Sequence, residues 1–302
     1  RSALALITTG DNNVAIGHGA GQSATTTSEL TLIGNSAGNL LNGQNGTIAI
    51  GFRALQTHVD GARNVAIGWE AMHDTNAGST SQGSNDNVFI GYLAGGGTWA
   101  NVKSEHNIAI GNYTMDSALN GALKNIAIGH SALSALTEGD DNTVVGYNSG
   151  LSITTGIRNV GLGAYTLDAV ETGTRNIAVG TGAGSALTST SYNIFIGNDA
   201  GALATGTGAL GIGHDALKNV TADYNIGIGY EAGVNLTSGA ANTFMGYRAA
   251  RSATDSVGGA VAIGYDAMYS NTDSTGNVAI GYFALRTATG GSSRDYNVAI
   301  GQ

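Results

Sequence analysis

Apolar and polar positions recur along this chain in a fixed order. The phrase Asn-Val-Ala-Ile-Gly-Tyr-Phe-Ala-Leu at 277–285 returns as NVAIGWEAM at 64–72, NIAIGHSAL at 125–133 and NIGIGYEAG at 225–233. Aligned on its glycine, the phrase has seventeen copies from Gly17 to Gly301, most of them 17 residues apart. A short period running end to end is the mark of a repeat architecture, in which each unit contacts its neighbours. It predicts a single repeat domain over 1–302.

Each column of the stacked copies has its own chemistry. The residue before the glycine is always apolar (Ile16, Ile67, Val145, Ile280), and the third before it is mostly β-branched (Val14, Val65, Thr143, Val278). That spacing is the period of a strand with one face in a core. The column between them, two before the glycine, holds Ala66, Phe89, Ala127, Phe195, Phe244 and their equivalents, with no polar side chain in any copy. A strand apolar on both faces is buried on both. We therefore expect the flanking columns inside the coil and the middle column, Ala66, Phe89, Phe195 and Phe244 included, against a second copy of the chain.

Asn stands four before the glycine in thirteen of the seventeen copies. It suits a turn and, at the rung spacing of stacked strands, a ladder of amides bonded to one another. After the glycine, Ala recurs at the third place (Ala20, Ala54, Ala132, Ala284), which predicts a short second strand, and a Thr/Ser/Gly/Asn-rich stretch closes the turn. Each repeat is then one coil of two short strands and two turns. Seventeen coils at ~4.8 Å stack to about 80 Å, with a thin core that favours oligomerisation. The expected fold is all-β, a parallel β-solenoid.

Composition narrows the functions. There are 49 glycines but no proline and no Gly-X-Y period, which excludes collagen. Without cysteine there are no disulfides and no thiolate metal sites. A net charge of −9 argues against nucleic acid. No apolar run is long enough to cross a bilayer, and the first residues do not form a signal peptide. The chain starts and stops in mid-pattern, so a longer parent protein is expected. Gly-x-Gly strings such as Gly17-His18-Gly19 belong to the repeat, and no cofactor motif stands outside it.

The Asn-x-Ala-Ile-Gly-x-x-Ala-Leu phrase resembles the β-roll repeats in the heads of trimeric autotransporter adhesins, and more closely the NxAIGYxAL repeats of bacteriophage tail fibres. The likeness covers Asn13 to Gly301. The repeats are longer than those of autotransporter heads and lack their Ser-x-Ala-x-Gly second half. The resemblance implies a left-handed β-roll of about seventeen coils assembled as a parallel homotrimer. It also implies an extracellular place, on a virion tail fibre or alternatively a bacterial surface. The partners it implies are the chain's own copies and a host glycan or outer-membrane receptor. It implies neither an enzyme nor a membrane-inserted segment.

Candidate sites follow from the columns. The residue after the glycine is aromatic or His in many copies, among them Trp69, Tyr92, His130, His214, Tyr230 and Tyr282. Such a column serves either as a stacked ladder or as a platform for sugars. Two after the glycine, Asp199, Asp215 and Glu231 fall on consecutive coils, followed by Arg248 and Asp266. Like charges one rung apart call for water, a bound cation or Arg248. Their ~5 Å spacing also matches a retaining glycosidase pair, which raises the alternative of a polysaccharide-degrading tailspike. Three intervals are long: 23 residues from Gly68 to Gly91, and 20 each for Gly91–Gly111 and Gly281–Gly301. The first two adjoin, and Trp99 in them reads as an exposed glycan contact on an inserted loop. No column offers the regular Thr that an ice-binding face would need.

Overall fold

The computed structural model describes residues 2–42, 45–75, 83–100, 102–254, 258–272, 275–287 and 295–302. The chain divides into two compact units, Arg1–Arg158 and Asn159–Gln302. Each is a parallel β-solenoid, and no residue described is helical. The N-terminal unit carries eight strands, β1 (Val14–Ile16) to β8 (Thr143–Val145). The C-terminal unit carries nine, β9 (Val160–Leu162) to β17 (Val298–Ile300). Every strand is the three residues before a repeat glycine. Within a unit each pairs in parallel with the next in sequence, column on column, as Ile126↔Thr143 or Ile177↔Ile194.

The register is fixed by the glycine and the asparagine at the ends of the strand. Gly129 has φ +136, and a Cβ there would lie 2.7 Å from the Gly146 carbonyl carbon of the next coil. Only glycine combines that backbone with so close an approach. The asparagines form the expected ladder. Asn107 Nδ2 donates to Asn87 Oδ1 (3.2 Å) and to the Ala122 carbonyl (2.8 Å), while its own Oδ1 accepts from the backbone and side-chain nitrogens of Asn125 (3.0 and 3.1 Å). In the other unit Asn193 bonds Asn176 in the same way, and Asn242 bonds Asn225. These amides are fully buried and bonded on both sides, so the cost of taking them out of water is offset and they hold the coils in step.

The strand faces are the reverse of the expectation. The middle column points into the coil: Ala66, Phe89, Phe195 and Phe244 have no exposed surface. The flanking columns point out, and not one of their residues is buried in a single chain. Period two puts the middle residue on the same side as the buried asparagine two places earlier. The interior is too narrow to take two β-branched flanks per coil. In most coils a large side chain comes from either the middle column or the fourth residue after the glycine, and the seventh place adds another, as Leu41 and Leu136. Leu55, Met72 and Leu133 face alanines, whereas Phe89 faces Gly95, where a Cβ would lie 2.6 Å from the ring.

The second strand is not formed. Residues after the glycine run as consecutive turns, with positive φ at the second and fourth places, as Arg53 (57°) and Leu55 (51°). The alternation turns the N–H groups of the second and fourth places to opposite sides, while the one between them bonds within its own turn, as Ala54 to the Gly51 carbonyl. Arg53 donates to Asn35 in the coil before, and Leu55 to Ala71 in the coil after (2.9 and 3.0 Å). The turn side is therefore bonded between coils without a β ladder.

A titratable residue enters the apolar core of the N-terminal unit at His58. The seventh place after the glycine is apolar in Leu41, Leu136 and Val170 but His58 in the third coil. Its Nδ1 meets the Thr75 hydroxyl at 2.8 Å and its Nε2 the Gly61 carbonyl at 3.2 Å. Burial lowers its pKa from 6.5 to about 4, against smaller raising effects of the Gly61 bond and Asp60. Because the folded pKa is depressed, the unfolded chain takes up the proton first. Stability conferred by the neutral ring is thus complete above pH 6.5 and is lost as pH falls towards about 4. The loss approaches ~3 kcal/mol at 1.36 kcal/mol per pKa unit. Urea midpoints measured at pH 7.5 and 4.5 are expected to show it, and H58L, which restores the column's usual residue, should remove most of the difference.

Candidate functional site

Outside the coil, each unit presents a two-column apolar stripe. In the N-terminal unit Ile110, Ile128 and Val145 are each 37% exposed, and in the C-terminal unit Leu162, Ile196 and Met245 are 38–41% exposed. The stripe is unbroken from rung to rung except where Thr31, Thr143 and Thr243 enter it. A monomeric protein seldom shows so long an apolar patch to water.

The aromatic column runs beside the stripe, and its rings meet from coil to coil. In the N-terminal unit Tyr92, Tyr113 (from the second place after its glycine, Asn112 holding the first), His130 and Tyr147 follow one another at 5.3–5.5 Å, edge to face except for the stacked His130–Tyr147 pair. In the C-terminal unit His214, Tyr230, Tyr247, Tyr265 and Tyr282 follow at 5.0–5.2 Å, with interplanar angles of 12–19°. Ring faces along the C-terminal run are covered by neighbouring rings, so its rims and phenol hydroxyls are what meet water. Trp69 stacks on Phe52 at 4.3 Å and is half exposed, and Tyr92 is 41% exposed at the start of its run. Both remain accessible, as a glycan contact would require.

Trp99 is not on the surface. It is fully buried, 5.6 Å from the Phe89 ring, with its Nε1–H donating to the Gly95 carbonyl at 3.1 Å. The longer coil gives the indole room to fold over Phe89, and the expectation of an exposed sugar contact is overturned. The rest of that insertion includes 76–82 and 101, which lie outside the described residues.

The acidic strip is neutralised by bases from a column that its sequence reading missed, five after the glycine. Lys218 Nζ lies 3.0 Å from Asp215 and 3.9 Å from Asp199, and Arg251 is paired with Glu231. The Asp215 hydrogen bond holds the Lys218 ammonium above its ordinary pKa, and the adjacent Glu231 charge raises the Tyr230 phenol. Arg248 grips the buried Asp266 with both fork nitrogens, at 2.9 and 2.8 Å. Among the described residues no three His, Asp or Glu side chains could hold a metal ion. The pairing had a sequence signal: Lys218 lies three residues after Asp215, and Arg251 one period plus three after Glu231. Arg53 and Glu70 form the exposed pair expected on adjacent coils (3.0 Å), of the kind worth under ~1 kcal/mol.

No family model matches the chain, and no curated protein matches it. What can be argued about function comes from the fold and its surface.

Proposed function

We propose that this chain is a segment of a trimeric attachment fibre, of the kind found in phage tails, that presents a binding surface to glycans or receptors on a host cell. The observation that carries the reading is the Ile/Val stripe, left partly exposed on every rung of both units. Three copies wrapped with their stripes inwards would bury it. An assembly of that kind also suits a coil whose own core is thin. The left-handed coil and the threefold assembly come with the resemblance to fibre repeats. A degradative role has less support, since Asp199, Asp215 and Glu231 each sit with a base rather than as a free pair.

Charging the stripe tests this reading. Ile228 and Ile263 lie on its outer face, one rung apart on either side of Met245. The double variant I228K/I263K places two cations in the proposed interface without touching the coil interior. The expected result is a folded chain of lower oligomeric mass. An unchanged mass would count against the stripe as the interface.

A further inference from the structure

We propose that an arginine–tyrosine patch of the C-terminal unit binds a carboxylate-bearing sugar, which gives the attachment reading a ligand class. Three guanidinium groups converge on one ring: Arg248, Arg286 and Arg251 lie 4.9, 5.2 and 5.9 Å from the Tyr269 centroid. Among the described residues two carboxylates serve these three cations. Asp266 is engaged by both fork nitrogens of Arg248, and Glu231 takes Arg251. Arg286 reaches Asp266 only at 3.6 Å, beyond a hydrogen bond, and is nearly half exposed.

Like charges gathered on one aromatic ring repel, and a further anion would relieve them. A guanidinium fork suits a carboxylate, which it can hold through two parallel N–H···O bonds. The surroundings suit a sugar. Phe283 and Tyr282, both exposed, lie beside Arg286 as an apolar shelf for pyranose C–H groups, with Arg286 4.8 Å from the Phe283 ring. Arg248 joins the patch to the tyrosine ladder, 5.0 Å from the Tyr247 centroid. The ladder's phenols, one per rung, extend the site along the coil for further sugars. The surplus is one cation in a chain of net charge −9, which disfavours a nucleic acid and leaves room for an isolated carboxylate.

The test is a calorimetric or NMR titration of the full chain with an oligogalacturonate, its methyl ester and inorganic phosphate. The oligomeric mass is measured on the same sample. Saturable binding of the acid is expected, weakened about tenfold or more by esterification and by R286Q. R175Q, which removes a cation from Tyr192 elsewhere in the unit, should leave it unchanged. R286Q leaves no buried partner unpaired, so its circular dichroism should match the parent. Equal binding of acid and ester, equal binding of phosphate, or no saturable signal at millimolar sugar would each overturn the assignment. A chain that assembles but does not bind contradicts this site alone, and one that binds as a monomer contradicts the trimer alone.

Discussion

Replacing Gly229 by alanine is expected to unfold much of the C-terminal unit. Gly229 has φ +133, a conformation that side chains rarely adopt, and a Cβ there would lie 2.7 Å from the Gly246 carbonyl carbon and closer still to its oxygen. Neither obstacle is a flexible side chain. Moving the carbonyl would break the contact between two coils and shift the register of both. Backbone strain of ~1–3 kcal/mol adds to an overpacking cost of similar size, so G229A should lose about 2–6 kcal/mol. Gly259 is the control within the same unit. Its φ is also positive, at 63°, but nothing lies within 4 Å of an added Cβ. G259A should cost only the ~1–2 kcal/mol of a left-handed alanine. Urea denaturation followed by circular dichroism separates the two, and equal losses would mean that the close stacking of glycines is unimportant.

The second large effect concerns which face of the strand is inside. Phe195 is fully buried, and a Cβ at Gly201 would lie 2.5 Å from its ring. F195A should leave a cavity and cost ~3–5 kcal/mol. G201L alone should be worse than neutral, because the leucine and the phenylalanine claim one space. Together they recreate the pairing that the chain uses at Ala127 and Leu133. Much of the loss should therefore return in F195A/G201L, with a coupling of ~1–3 kcal/mol in the double-mutant cycle. Additive losses would show that the two columns do not meet.

That pairing was present in the sequence. Leu32 with Gly38, Phe89 with Gly95 and Phe195 with Gly201 set large against small, whereas Ala49 with Leu55 and Ala66 with Met72 invert the order. The exchange marks the middle column and the fourth place after the glycine as partners inside one coil. Apolar alternation alone reads differently, because it defines two faces without saying which is inward. The strands, their parallel stacking and the asparagine ladder were legible, since each depends on residues repeated at one spacing. The turn side was not. Its left-handed positions are filled by residues such as Arg53, Leu55 and Tyr113, which give no sign of positive φ. Trp99 was misread for a related reason: a loop longer than the period looked like a surface insertion, but its extra length let the indole reach the core. At the surface, the aromatic column was plain from its spacing. The bases of the fifth column escaped notice because each pairs with an acid in another column.

The claim on which the rest depends is that the partly exposed Ile/Val stripe faces sister chains. Sedimentation equilibrium or multi-angle light scattering of the unmodified chain measures this directly. The account predicts a mass three times the 30.2 kDa of one chain, held on dilution. A folded species at 30.2 kDa across the concentration range, with the stripe left in water, would contradict it.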